Sequence, residues 1–341
     1  MTRTALFSRL LPVLTAFSCV ISAAPACAAS PLADRTGFFF DTVISIALYD
    51  TADESILDAC FEELAGYEQK FSRTLEGSEI WQVNHSGGQP VTVSEDTYAL
   101  IEDALSYCAL SDGWFDITIA SVVDLWDFSS AESALDPVVP DADALAEALA
   151  HVDWHCIELD PASMSVTLTD PEAKIDLGGI AKGWISGRMH DRLLELGCES
   201  AMINLGGNVV SVGTKPDGSS WNIGIRKPFA EVQSDLIAVV PLNDQAVITS
   251  GTYERYFTLD GQLYHHILDP HTGLSVDNGL TSVSILTPDP TAGDALSTIC
   301  FMLGIEDGLA LIESLDDTEA LLIDEDMNFY PSSGWTGRAY P

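Results

Sequence analysis

Three short segments of this chain combine residue types that could handle a charged phosphate. The first is Lys174-Ile-Asp-Leu-Gly-Gly-Ile-Ala-Lys-Gly183, where a β-type run ends at Asp176 and glycines lead into a helix. A helix entered this way points free backbone amides outward, and such termini attract anions. Lys182 adds a point charge suited to a phosphate, although the spacing is neither that of a Walker A loop nor that of the dinucleotide fingerprint. An ordinary turn accounts for the glycines as well. The second segment holds Asp294 and Thr298, four residues apart, so that both side-chain oxygens lie on one face of a helix. Hard cations take such oxygens, and Mg²⁺ is commonly held by one or two carboxylates plus substrate phosphates. The same acid could instead balance the dipole of its own helix.

The third segment, Tyr264-His-His-Ile-Leu-Asp-Pro-His-Thr-Gly273, runs a strand into a turn and carries three of the seven histidines. No cysteine is close and the spacing fits no common zinc pattern. A single histidine at the strand end, His266, acting in binding or proton transfer is the better reading. Thr249-Ser250-Gly251 and Asn204-Leu-Gly-Gly-Asn208 end other strands, and are ordinary turn chemistry unless they face the same cleft.

Charge narrows the chemistry further. Against 52 Asp plus Glu stand 14 Lys plus Arg, a formal charge of −38, so the surface repels nucleic-acid backbones and a nucleic-acid partner is excluded. A molecule this anionic can hold a diphosphate only if something positive stands between, and Lys182 alone is thin. A divalent cation at Asp294 would complete the balance.

The elements that must position these segments follow from periodicity. Residues 37–49 read as one strand, 53–70 and 94–110 as helices, and 71–93 as loop. Residues 141–150 predict a short helix, 156–168 a hairpin, and 178–196 a helix entered through glycines. Short strands then recur at about ten-residue spacing, which predicts antiparallel sheet. A strand over 280–287, helices over 291–303 and 305–314 and a final hairpin close the chain. With 341 residues, 47% hydrophobic, the expectation is a single α+β domain over 30–341, its antiparallel sheets packed by helices.

Residues 1–29 stand apart: Arg3 and Arg9, an apolar run of about 15 residues, then small residues, the order of a secretory signal peptide. Cys19 and Cys27 are candidates for a lipid-modified amino terminus, though neither follows the usual upstream Leu. No later stretch reads as a membrane span. Cys60, Cys108, Cys156, Cys198 and Cys300 are scattered and read as small core residues.

Taken together, the motifs resemble the ApbE family of FAD:protein FMN transferases. Those carrying the resemblance are Asp-Leu-Gly-Gly-Ile-Ala-Lys-Gly at 176–183, Asn-Leu-Gly-Gly-Asn at 204–208, Thr-Ser-Gly at 249–251, His-Ile-Leu-Asp-Pro-His-Thr-Gly at 266–273 and Asp-Ala-Leu-Ser-Thr at 294–298. Phe71-Ser-Arg, Ser78-Glu-Ile with Asn84, and Gly113-Trp-Phe-Asp-Ile with Val123-Asp-Leu-Trp resemble its earlier motifs. The resemblance implies an exported enzyme, often lipid-anchored, at the extracytoplasmic face of the bacterial membrane or in the periplasm. It implies a fold similar to the tunnelling fold, with FAD as substrate between two lobes. With Mg²⁺ such an enzyme splits the FAD diphosphate, joins FMN to a Thr or Ser of an exported acceptor protein and releases AMP. By similarity the metal would be held by the Gly179 carbonyl, Asp294 and Thr298, with Ser297 near. FAD would contact Phe40, Thr74, Trp114, Phe115, Asp116, Asp176, Lys182 and His266, and catalysis would rest on His266 and Asp294. Three positions depart from the family pattern: Phe40-Asp41-Thr42 where Met-Gly-Thr is usual, Thr74 where Tyr is frequent, and Thr252 where Asp or Ser is common. The alternatives are an FAD pyrophosphatase yielding FMN and AMP, and an exported flavin-binding protein without turnover.

Overall fold

The computed structural model describes residues 30–126, 128, 137–232 and 234–340. The leader and the two candidate lipidation cysteines lie outside them. At the start, the single strand expected over 37–49 is instead a hairpin of β1 (Ala33–Phe39) and β2 (Thr42–Leu48). Period-two alternation runs through both arms, and the two-residue turn carries neither Gly nor Asn to mark it. Phe40 and Asp41 both adopt positive φ (54° and 56°), the geometry whose twist suits a tight hairpin. The Phe40 N–H is fixed by donating to Glu68 Oε1 at 2.8 Å.

Helix α1 (Glu54–Phe71) is capped by Asp53, and α2 (Glu79–Asn84) by Ser78. Residues 71–93 are therefore not all loop: α2 and β3 (Val91–Thr92) are too short for periodicity to reveal. Ser94 caps α3 (Glu95–Leu110) as its position before the apolar repeat predicts. Then come α4 (Ala120–Trp126), α5 (Ala142–Leu149), the hairpin β4 (Ile157–Asp160) and β5 (Ser165–Leu168), and α6 (Ala181–Glu195). The strand-rich half holds β6 (Ala201–Leu205), β7 (Asn208–Val212), β8 (Trp221–Arg226), β9 (Leu236–Leu242), β10 (Ala246–Gly251), β11 (Tyr256–Leu259), β12 (Gln262–His265) and β13 (Leu280–Thr287). After α7 (Pro290–Glu313) the chain ends with β14 (Glu319–Asp324), β15 (Phe329–Pro331) and β16 (Arg338–Ala339). This is an α+β fold.

The main sheet has eight strands in the order β1-β2-β6-β7-β10-β13-β14-β15, antiparallel throughout. Alternation along each strand separates its faces. Ile44, Ile46, Ile203, Val283 and Ile285 point to one side and form a core with Leu57 and Leu64 of α1, Ile185 and Met189 of α6, and Ile299 and Phe301 of α7. Ala47, Met202 and Val247 point to the other side. There a small sheet, β16-β9-β8, packs Trp221, Ile225 and Val240 over part of that face. The part it leaves uncovered becomes cleft wall.

Helix α7 is 24 residues long and apolar enough, by length and mean hydropathy alone, to cross a membrane. It is the core helix of this fold: half of it is buried, Asp294 and Ser297 among its buried residues, and it breaks at Gly304 (φ 80°, ψ −172°). That break is where the sequence divides two helices. The five cysteines after the leader are free and buried, their thiols pushed up by burial.

Candidate active site

The glycine turn and the late helix meet, and a missing side chain is the reason. A Cβ on Gly183 would stand 2.2 Å from the Pro290 carbonyl oxygen and 2.6 Å from Asp294 Cβ, so only glycine lets α6 and α7 cross this closely. The Gly183 N–H then donates to Asp294 Oδ2 at 2.8 Å. Asp294, 3% exposed, thus sits against the positive end of α6 rather than compensating its own helix. Lys182 Nζ lies 3.4 Å from Asp294 Oδ1 and donates to the Gly178 carbonyl at 3.2 Å. One turn along α7, Thr298 Oγ1 is 3.7 Å from where a Cβ on Gly179 would be.

Gly179, Asp294 and Thr298 are therefore neighbours, and their oxygens suit a hard cation. Among the described residues Asp294 Oδ1 has only its long contact with Lys182. Thr298 Oγ1 makes no hydrogen bond among the described residues. One carboxylate, one hydroxyl and a backbone carbonyl match the oxygen preference of Mg²⁺, with positions left for phosphate oxygens and water.

Behind the glycine turn, Asp176 is held on both oxygens. Oδ1 accepts from the Gly178 N–H at 2.7 Å and Oδ2 pairs with Arg73 Nε at 2.9 Å. Arg73 also pairs with Asp124, which Lys174 reaches at 3.0 Å, so an ion-pair network locks the turn to the end of α1.

The residues expected to contact FAD or hold the metal line one cavity of about 1740 Å³: Phe40, Thr74, Trp114, Phe115, Asp116, Asp176, Gly179, Lys182, His266, Asp294 and Thr298. That exceeds the roughly 300–1,000 Å³ of common small-molecule sites. The residues do not play equal parts. Asp116 reaches the cavity, but its Oδ1 accepts from the Thr118 N–H and hydroxyl and its Oδ2 from the Trp154 N–H. Burial raises its pKa, and its visible work is to tie the 116–118 turn to Trp154. Phe115 packs on Gly179, where a Cβ would stand 2.8 Å from its ring, and the Trp114 ring lies 4.6 Å from that of His271. Thr74 is exposed, its hydroxyl 3.3 Å from Ser72 Oγ.

The histidines of the third segment separate by environment. His265 is a satisfied core residue: Nε2 meets the Val276 carbonyl at 2.9 Å and Nδ1 accepts from the Ile267 N–H. His271 pairs with Asp269. His266, just past the end of β12, faces the cavity with Nδ1 buried and unpartnered. Burial foremost, then Arg255, His265 and Lys182, lower its pKa to about 3, so the ring is neutral near pH 7.

The 204–208 turn named from the sequence does face the cleft, and Arg226 and Glu254 there were not foreseen. Asn208 Nδ2 and Arg226 Nε are buried without partners, as is His266 Nδ1. Each such orphan costs about 1–3 kcal/mol unless a ligand satisfies it. Glu254 also lines the cavity; it still touches solvent there, but the enclosing walls thin its hydration. That loss foremost, with Asp294 adding, raises its carboxyl to about 7 against the pull of Lys182, Arg255 and Arg226. The scarcity of cations was the available signal, because in so acidic a chain Arg73, Arg226 and Arg255 each merit a role. Thr252, by contrast, is buried with its hydroxyl unpartnered and is not part of the cavity lining.

The arrangement has counterparts. Residues 40–322 match the ApbE family model. The FAD:protein FMN transferase of Klebsiella pneumoniae (strain 342) is 38% identical over 291 residues, 85% of this chain and 88% of that one. The FAD:protein FMN transferase of Treponema pallidum (strain Nichols) is 34% identical over 322 residues, 89% and 88% of the two chains. Among solved structures, the ApbE protein of Thermotoga maritima superposes with a TM-score of 0.79 at 33% identity, covering 88% of this chain and 97% of that one. The flavin transferase ApbE of Vibrio cholerae gives 0.77 at 27% identity over 88% and 97%, and is also known as a histidine-to-glycine mutant. With its cavity, its glycine turn and its motifs all in the family's order, the chain belongs to the ApbE family.

Proposed function

We propose that this protein is an exported, Mg²⁺-dependent FAD:protein FMN transferase. The observation that carries the reading is the meeting of Gly179, Asp294 and Thr298 beside Lys182 inside a cavity large enough for a dinucleotide. FAD is the substrate. Its diphosphate lies toward Lys182 and the amides that open α6, where the helix terminus and the ammonium offset its charge. Phe40, Trp114 and Phe115 offer ring faces for the flavin and adenine.

Asp294, Thr298 and the Gly179 carbonyl would hold the metal, which when bound supplies charge neutralisation and polarisation at the diphosphate. The acceptor's Thr or Ser oxygen forms a bond to the FMN phosphorus, the bond from that phosphorus to the bridging oxygen breaks, and AMP leaves with that oxygen. The hydroxyl proton passes to the unpartnered Nδ1 of His266. A ring of such low basicity is a poor base by itself, but an anionic diphosphate beside it favours the protonated form and raises its pKa on substrate binding. The order of residues 1–29 supports export, and the acceptor is then an exported protein.

Incubation with FAD, Mg²⁺ and an exported acceptor tests the reading. Flavin fluorescence on a Thr or Ser of the acceptor with AMP released is the expected result. FMN and AMP with no labelled protein would make it a pyrophosphatase, and FAD retained without AMP release a flavin-binding protein.

A further inference from the structure

Along the strands of the main sheet the cavity meets no more than two consecutive residues, as on β2, where it meets Thr42, Val43, Ser45 and Ala47. Along β8 it meets five consecutive residues, 222–226. Because successive strand residues point to opposite faces, a cavity can border such a run only along the edge of the strand. β8 is the outer strand of the sheet β16-β9-β8, with no partner beyond it among the described residues.

Its free hydrogen-bonding groups can be assigned. Tyr340 N–H donates to the Ile237 carbonyl, and Val239 pairs with Arg338, so the odd-numbered residues of β9 face β16. Ala238 and Val240 then bond toward β8, to Ile225 and Ile223. By alternation Asn222 and Gly224 direct their N–H and C=O groups to the open edge. Both are exposed, and Gly224 presents no side chain to obstruct an approaching backbone.

Charge adds an independent observation. Six of the described Lys and Arg residues form no ion pair with a carboxylate, and four of them, Lys215, Arg226, Lys227 and Arg338, lie in or beside this small sheet. In a chain of charge −38 they are a local concentration of cations free of ion pairs among the described residues, although Asp217, Glu231 and Asp235 lie in the same stretch. The same cations set two copies of this edge against each other, which discourages self-pairing.

We propose that the open edge of β8 receives an extended, acid-bearing segment of the acceptor protein as an added strand, which carries its Thr or Ser hydroxyl into the cleft. The proposal rests on the transferase reading and names how that reaction's second substrate docks. Main-chain bonds to Asn222 and Gly224 supply affinity, as in other strand additions, and the flanking cations select acidic side chains.

The test uses the whole protein and a short synthetic peptide with one Thr between acidic residues, alongside the same peptide with lysines in place of the acids. The acidic peptide is expected to slow amide exchange at Asn222 and Gly224 by about tenfold, and the lysine peptide far less. Asn222→Pro removes an edge donor without touching the β9 ladder; it should lose the protection and raise the peptide KM by about tenfold. Asn222→Ala should keep both, and AMP release from FAD in water should match the parent in both variants. Unchanged exchange with either peptide, equal protection by the two peptides, or identical behaviour of the Pro and Ala variants would overturn the docking edge. Exchange is read without turnover, so protection of β8 with no FMN transferred would sink the transferase reading and leave the edge standing.

Discussion

Two parts of the cleft are built differently. At the α6–α7 crossing the contacts are backbone and buried carboxylate: Gly183 N–H on Asp294, Gly179 against Phe115 and Thr298, Asp176 pinned by Arg73. Elsewhere on the wall, Phe40, Asp41 and Thr74 meet the cavity as side chains on a hairpin tip and an exposed loop. The departures expected at Phe40-Asp41 and Thr74 fall on this wall, and the motif segments 176–183 and 294–298 form the crossing. Backbone contacts at a glycine leave no alternative residue, whereas a ring or hydroxyl on a wall can be exchanged for another of similar size. The crossing should therefore be brittle and the wall tolerant.

The largest break is Asp294→Asn. Asparagine can still accept from the Gly183 N–H, so the crossing survives, but the charge that would hold a divalent cation is gone. AMP release should fall by about 10³-fold with Tm little changed, a loss of the size seen when one preorganised charge-stabilising group is removed. Near-normal turnover would remove Asp294 from the metal set. Next is Gly183→Ala. Its methyl would meet the Pro290 carbonyl, so the helices must part, and overpacking of this kind costs about 1–3 kcal/mol. A lower Tm together with weaker activity is expected; an unchanged Tm would mean that the crossing is not the tight joint described.

The amino-acid sequence made much of this legible. Strand β13 matches its expected limits, 280–287, because alternation and flanking turn residues agree there, and Ser94 marks the start of α3 by its capping chemistry. The β1–β2 turn was hidden because Phe40 and Asp41 are not the residues that announce positive φ. In the site, segments with paired signals, a glycine with a lysine or an acid with a hydroxyl at helical spacing, could be named in advance. Glu254 and Arg226 could not, since each is a single polar residue whose role arises when distant strands converge. Nor does spacing disclose that both oxygens of Asp116 turn toward Thr118 and Trp154.

A smaller effect separates the titrating groups of the cleft. His265 and His266 have folded pKa values lowered to about 4 and about 3, below the 6.5 of the free side chain. The unfolded chain therefore binds more protons between those values and 6.5, and stability is lost as pH falls through that window. Glu254 is raised to about 7 from 4.5, which has the opposite sign: the thinned hydration of its carboxylate costs stability as pH rises through that range. Glu254→Gln should consequently raise Tm at pH 8, and the gap over the parent should close by about pH 5. Equal Tm values at pH 8 would mean that the walls do not strip Glu254 of water as described.

The least effect, and the sharpest check on the tolerant wall, is expected from Asp41→Gly. Asp41 holds φ at 56°, a conformation that costs an L-residue roughly 1–2 kcal/mol and glycine almost nothing, with Asp at the mild end because its short side chain bonds locally. Against that gain, glycine in the unfolded chain has more freedom to lose, about 0.4–1 kcal/mol. The two terms nearly cancel, so Tm should move by no more than a few degrees and the KM for FAD by less than about threefold. A hairpin that unfolds, or FAD binding weakened as severely as by a substitution at the α6–α7 crossing, would show that the wall is as closely specified as the metal end, and the contrast between the two regions would fail.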